Sequence, residues 1–186
     1  MKTLIIYAHP DTESHARITL QEVESRLKEL ERDYEMIDLY KINYDPLLSA
    51  KELTEKGYCS DIVKEHREKI DESDLLVFIY PVWWNTMPAI LKGWFDKTFS
   101  SGYAFKYVNG MPKGLLKGKR AIIFATTGAK RFLSCIFQGL RWDKVLRKDT
   151  LRFCGIKGKT YHIGDAYRLT DSNKEKIKRN VKKAIK

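Results

Sequence analysis

The stretch LLVFIYPVWWNTMPAILKGWFDKTF, Leu75 to Phe99, decides the reading of this chain. An apolar run, Leu75–Tyr80, empties into a loop that carries two adjacent indoles and an amide, Trp83, Trp84 and Asn85. An amphipathic segment opens behind Pro88, with Met87, Ile90, Leu91, Trp94, Phe95 and Phe99 in one broad stripe. A short continuous apolar run fits a strand buried on both faces, and the stripe has the spacing of a helix. A strand that ends in an aromatic loop above a helix is how an open α/β sheet makes a floor for a flat ligand.

Working outward, the same alternation recurs. Leu4–Tyr7, Met36–Leu39 and Ala121–Ala125 read as further buried parallel strands, and Thr160–Ile163 as a weaker fifth. Between them lie helical patterns: Ala16, Leu20, Val23, Leu27 and Leu30; Ile62, His66 and Ile70; Ile136, Leu140 and Val145, stopped near Gly155; and Ile177, Val181 and Ile185. Alternating strands and helices predict a doubly wound parallel α/β sheet with helices on both faces. The 186 residues make one domain, 1–186, with no repeat or long linker.

Composition narrows the function classes. A hydrophobic content of 43% with 32% charged residues describes a soluble globule. No apolar run approaches a membrane span, and MKTLIIYAHP is too short in its apolar part for a signal peptide. Cys59, Cys135 and Cys154 lack metal spacing and read as idle thiols of a reducing cytoplasm. The expectation is a cytoplasmic protein with no metal site. Charge is unevenly placed. Residues 1–75 carry 11 Lys/Arg against 18 Asp/Glu, and residues 76–186 carry 24 against 6. The positive half points either to an anionic partner or to a solvated basic face. No basic run is interleaved with a nucleic-acid motif, so no nucleic-acid partner is expected.

Ligands of such sheets bind beyond the carboxyl ends of the strands. The first such loop reads His9-Pro10-Asp11-Thr12-Glu13-Ser14-His15-Ala16, with neither GxGxxG nor a P-loop. It places hydroxyls and imidazoles at a helix N-terminus, where free N–H groups and the dipole favour an anion. Taken alone, Ser14 reads better as an N-cap, with which a phosphate on the same amides is compatible. The third loop holds Trp83 and Trp84, whose side chains point different ways, so that both cannot be fully buried. The fourth, Thr126-Thr127-Gly128-Ala129, offers a glycine for close backbone approach.

These residues resemble the flavodoxin-like NAD(P)H:quinone oxidoreductases, above all the short bacterial members, which include ancillary oxidoreductases of potassium efflux systems. The likeness runs through YAHP at Tyr7–Pro10, Ser14-His15-Ala16, and DLLVFIYPVWWNTMPAILKGWFDKTFSSGYAF from Asp74 to Phe105. It continues through GLLKGKRAIIFATTG, Gly114 to Gly128, then Gln138-Gly139 and Phe153-Cys154-Gly155. It implies a five-stranded sheet in the order 2-1-3-4-5. It also implies a homodimer with one FMN, or FAD, per subunit, reduced by NADPH or NADH and reoxidised by a quinone in a two-step hydride transfer. The short length favours FMN.

By the same resemblance, His9, Ser14, His15, Ala16 and Arg17 hold the flavin phosphate. Pro81, Val82, Trp83, Trp84 and Asn85 lie along the ring, and Thr126, Thr127, Gly128 and Ala129 meet its pyrimidine edge. Trp84, Phe105 and Tyr107 line the substrate pocket, the last two often reaching into the partner subunit. The chain departs from the family at Arg17, where Asn is usual, and at Ala129, where a second Gly is usual. A Tyr and a His that relay charge in mammalian-type members have no match after Gly128, the His position falling on Arg141. No catalytic acid or base is therefore named. Alternative readings are a regulatory flavoprotein docked to a membrane transporter, a flavodoxin-type electron carrier, and a flavin-free binding module.

Overall fold

The computed structural model describes residues 1–55, 57–129, 136 and 139–186. Strands β1 (Thr3–Tyr7), β2 (Tyr34–Asp38), β3 (Leu75–Pro81), β6 (Arg120–Thr126) and β7 (Lys157–Ile163) form one parallel sheet in the order β2-β1-β3-β6-β7. The remaining two, β4 (Phe105–Val108) and β5 (Met111–Gly114), make an antiparallel hairpin. Register runs evenly across the sheet, Tyr34 beside Thr3, Thr3 beside Leu75, Leu75 beside Arg120 and Arg120 beside Lys157. All five strands therefore end at one edge. The order is the five-strand doubly wound order expected, once the hairpin is set aside.

Among the described residues the helical segments named here are α1 (His15–Glu29), α2 (Ala50–Thr54), α3 (Asp61–Glu72), α4 (Ala89–Thr98), α5 and α6 (Asp171–Ala184). Of these, α5 is a turn of α-helix, Arg141–Asp143, that continues as a π-helix, Lys144–Arg152. Alternate strand residues feed opposite faces. Leu4, Ile6, Phe78 and Tyr80 pack with Leu91, Trp94 and Leu146 of α4 and α5. Ile5, Tyr7, Val77 and Ile79 pack with Leu20, Val23, Ile177 and Val181 of α1 and α6. Each face is thus a dry interior of its own, as parallel crossovers require.

Three helical or strand expectations change. The inner face of α3 is Val63, His66 and Ile70, while Ile62 stands in solvent. The helix expected over Ile136, Leu140 and Val145 begins in a segment that lies largely outside the described residues; from Arg141 on, α5 buries Trp142, Leu146 and Leu151, while Ile136 and Val145 are exposed and Leu140 stands at its N-cap in a left-handed conformation. Met36 is exposed because β2 is an edge strand that buries only Ile37. The hairpin and α2 answer no expectation above. The hairpin turns at Asn109-Gly110, both at positive φ, the residue pair that a two-residue type I′ turn demands.

A buried histidine in this scaffold makes stability acid-sensitive. Trp94 donates its Nε1–H to His66 Nδ1 at 3.1 Å, with the Tyr44 ring 5.6 Å away. Burial, with Lys69 adding to it and Glu65 opposing, pushes the His66 imidazole down to about 4. In the unfolded chain it titrates near 6.5. Between these values the unfolded state binds more protons, so stability falls as pH drops through the window. The full window is worth up to about 3 kcal/mol at 1.36 kcal/mol per unit. His9 and His15, also lowered by burial, act in the same direction. The urea midpoint of the wild type is therefore expected to fall from pH 7 to pH 4.5, and that of His66→Gln to fall much less. Equal losses in both would place the sensitivity elsewhere.

Candidate functional site

At the common strand edge the first loop hands over to α1. Ser14 is extended (φ −118°, ψ 161°) and its Oγ accepts the Arg17 N–H at 3.1 Å, while the Ile18 N–H reaches Ser14 O at 3.0 Å. Of the first four helix amides, those of His15 and Ala16 are left to meet an anion, reinforced by the helix dipole. Ser14 is thus an N-cap, and the cap presents two donors beside it. Ala16 contributes backbone alone, its methyl being sealed in the core. Arg17 is half-buried in the same turn.

The two imidazoles divide their work. His9 Nδ1 accepts the Asp11 N–H at 3.0 Å, which leaves the ring proton on Nε2. His15 is buried, and its Nε2 lies 3.2 Å from Asn173 Nδ2 on α6. Burial lowers the pKa of both, so they are neutral donors and acceptors rather than cations. Asp11 and Glu13 also stand at the rim, the Asp11 carboxylate accepting the Glu13 N–H at 2.8 Å.

In the third loop Val82 N–H donates to Thr126 O at 2.8 Å, tying the end of β3, buried Pro81, to the end of β6. Trp83 and Thr86 then exchange two backbone hydrogen bonds of 3.0 Å around Trp84 and Asn85. Both central residues have positive φ, 48° and 62°. A bulky aromatic in this region is a strained outlier. Trp84 is nonetheless 99% exposed and Trp83 42% exposed. Neither indole is core. The Trp83 ring sits 6.2 Å from that of His9, tilted by 55°. Asn85 Oδ1 is shut off from solvent without a hydrogen-bond partner among the described residues.

The fourth loop closes the far wall. Thr126 and Thr127 are buried, and Thr127 Oγ1 donates to Ala129 O at 2.6 Å. A Cβ on Gly128 would stand 2.4 Å from the ring of Tyr167, so this position takes glycine alone while that ring stays in place. Tyr167 belongs to a fifth loop, after β7, that the sequence reading passed over. Ala166 N–H donates to Thr127 O at 3.0 Å, and Asn173 Nδ2 lies 3.1 Å from the carbonyls of Asp165 and Arg168. Asp165 turns there at φ 64°. The only sequence signal for this loop is Gly164-Asp165, directly after an apolar run.

Together these four loops enclose a cleft of about 560 Å³, lined by His9, Ser14, His15, Trp83, Thr127 and Tyr167 among others. That is within the ordinary range for a small-molecule site. Phe105 and Tyr107 are elsewhere. Phe105 packs on Phe153 at 5.0 Å, lining a second cavity of about 1040 Å³ with Phe95, Phe99 and Tyr103, and Tyr107 is exposed. Most of the segment expected to lack the relay residues, including Gln138 and Cys135, lies outside the described residues; Arg141 is exposed at the start of α5. Cys154 is buried, and burial pushes its thiol up to about 11, as suits an idle thiol. No helix among the described residues is long and apolar enough to cross a membrane.

The arrangement suits an elongated ligand with an anionic tail and a flat polar head. Such a tail would meet the free α1 amides and such a head the exposed indoles that line the cleft. These are the features that an FMN requires.

Comparison with known proteins places the chain in a family. The family described as having a flavodoxin-like fold matches residues 1–186. An uncharacterized NAD(P)H oxidoreductase of Haemophilus influenzae is 32% identical over 186 residues, covering 92% of this chain and 87% of its own. The ribosyldihydronicotinamide dehydrogenase (quinone) of Mus musculus is 32% identical over 182 residues, covering 84% and 78%. Among solved structures, the NAD(P)H:quinone oxidoreductase from Methanothermobacter marburgensis superposes with a TM-score of 0.87 at 30% identity, covering 98% of this chain and 94% of that one.

Proposed function

The chain belongs to the flavodoxin-like fold family matched over its whole length, and from that premise we propose that it is an NAD(P)H:quinone oxidoreductase working through bound FMN. The observation that carries the proposal is the Trp83–Thr86 turn, which holds a wholly exposed indole in a strained conformation at the mouth of an anion-ready cleft. A bound flavin would supply two-electron chemistry between a reduced nicotinamide nucleotide and a quinone.

The protein's part is binding, orientation and electrostatics. His15 and Ala16 amides, with Ser14 and Arg17, hold the phosphate. Val82 to Asn85 line one side of the ring, and Thr126 to Ala129 meet its polar edge. Donor and acceptor stack in turn over Trp84 in an open mouth. Fixed backbone donors stabilise developing charge without a protein acid. Among the described residues of the cleft, one helix start, that of α1, offers free amides to an anion, which favours the monophosphate FMN over FAD.

Phe105 and Tyr107 are not among the residues that line the cleft of their own chain, and the 1040 Å³ cavity that Phe105 lines includes the rings of Phe95, Phe99, Tyr103 and Phe153. Both facts favour a homodimer in which each hairpin reaches the partner's cleft.

The test is anaerobic. Loaded with FMN, the protein is expected to bleach within seconds on adding NADPH or NADH and to recover its colour with menadione. It is also expected to sediment at twice the chain mass. Persistent yellow with both nucleotides removes the enzyme reading, and a monomer that turns over removes the shared site.

A further inference from the structure

We propose that His162 is a positioning residue for the cofactor loop, fixing the Thr127–Ala129 turn through the Thr127 hydroxyl; this deepens, and rests on, the flavin reading above. His162 lies near the end of β7, 6% exposed, with its ring 5.4 Å from that of Trp142 and inclined by 33°. Its Nε2 is 2.7 Å from Thr127 Oγ1. That hydroxyl also lies 2.6 Å from Ala129 O.

A hydroxyl has one proton, and a carbonyl oxygen only accepts. The Thr127 proton therefore goes to Ala129 O, and the bond to His162 has to run the other way, with Nε2–H donating to Oγ1. The imidazole is locked in its Nε2–H form, and the chain of bonds His162 to Thr127 to Ala129 has a single direction. Main-chain bonds fasten Thr127 itself, its N–H to Ile163 O at 2.9 Å and its C=O to the Ala166 N–H at 3.0 Å. The imidazole acts on what they leave free, the rotation of the hydroxyl that holds Ala129.

This matters because Gly128 and Ala129 are the part of the loop that meets the ligand. Donors aimed at developing charge work because they need no reorganisation when the charge appears. A loop on a strand end reaches that precision only when side chains behind it lock the side chains that touch the ligand. The family's relay residues have no match after Gly128 in this sequence. His162 approaches the same edge of the site from β7 and acts by orientation.

Leucine at 162 fills the space but gives no proton to the Thr127 hydroxyl, whereas glutamine offers an N–H at a similar reach. His162→Leu is expected to weaken FMN binding about tenfold, close to 1.4 kcal/mol and the worth of one buried hydrogen bond. His162→Gln is expected to restore most of that loss. In a Thr127→Val background the leucine substitution is expected to cost almost nothing more, since the two act through one bond.

A readout that ligand-free protein supplies is the imidazole tautomer. Long-range proton–nitrogen correlation is expected to show Nε2–H in the wild type and a mixture in Thr127→Val. Equal FMN affinity in wild type and His162→Leu, or an Nδ1–H imidazole in the wild type, overturns the role. A wild type that takes up no FMN at all refutes the flavin reading and this role with it. That outcome shows before any variant is made, so the two failures are distinguishable. If His162→Leu folds poorly, the tautomer and affinity of Thr127→Val decide the matter alone.

Discussion

Ser14→Asp is expected to strip the flavin from the protein while leaving the fold intact. Ser14 caps α1 by accepting the Arg17 N–H, and aspartate caps as well as serine does. An added carboxylate at the N-terminus even favours the helix dipole. What changes is the charge facing the ligand. A phosphate on the His15 and Ala16 amides would stand within about 4 Å of the new carboxylate. Two like charges at that distance repel by about 4 kcal/mol at the effective dielectric of a protein surface. Affinity is expected to drop roughly a thousandfold, at 1.4 kcal/mol per decade. Ser14→Ala separates the two roles. It costs about 1 kcal/mol of stability through the lost cap and changes flavin affinity far less. Fluorescence titration with FMN, alongside helix content by circular dichroism, reads both. Unchanged flavin retention in Ser14→Asp sinks the phosphate assignment.

The sheet was legible in the sequence because buried parallel strands leave continuous apolar runs. Leu75–Tyr80 and Ala121–Ala125 are the central strands β3 and β6, and both stand almost where the runs placed them. Edge strands leave weaker marks. In β2 only Ile37 is buried, so Met36 carried no information about a core it does not enter. In α3 the stripe holds at His66 and Ile70 and differs only at its start, where Val63 is buried in place of Ile62, because both are apolar and only packing separates them. The π-helical winding of α5 defeats a search at helical spacing, since its buried residues Trp142, Leu146 and Leu151 fall at steps of four and five.

For the site, loops that carry unusual residue types were visible and loops that carry ordinary ones were not. Trp83-Trp84 and the Ser14-His15 turn drew attention by chemistry. The Asp165–Leu169 loop did not, because its part depends on Tyr167 lying against Gly128, a contact that joins residues far apart in sequence. His162 was silent for the same reason. A histidine in a strand reads as core until its partner Thr127 is placed beside it across the sheet.

Trp84→Gly is expected to cut turnover and leave the fold at least as stable, opposite responses to one substitution. The turn from Trp83 to Thr86 is of the kind that needs positive φ at both central positions, where asparagine and glycine are the residues of choice. A side chain in that conformation costs roughly 1–2 kcal/mol. Glycine removes this cost and returns about 0.5–1 kcal/mol of it through the freer unfolded chain. The indole is 99% exposed, so no core contact is lost. Thermal unfolding of the ligand-free protein is therefore expected at the wild-type temperature or a few degrees above it.

The function of the indole is a different matter. A flat ligand lying on one face of Trp84 removes on the order of 100 Å² of apolar surface from water, about 2.5 kcal/mol at 25 cal/mol per Å². Ring geometry adds roughly 0.5–1.5 kcal/mol. Losing both, about 3–4 kcal/mol, is expected to lower kcat/KM for menadione roughly several hundredfold, at 1.4 kcal/mol per decade, while Trp84→Phe keeps most of it. A ring kept in the open, at a conformational cost that no packing offsets, is explained only by a partner that arrives later. Should Trp84→Gly turn over at the wild-type rate and melt earlier, that explanation is lost, and the indole would have to be read as structural.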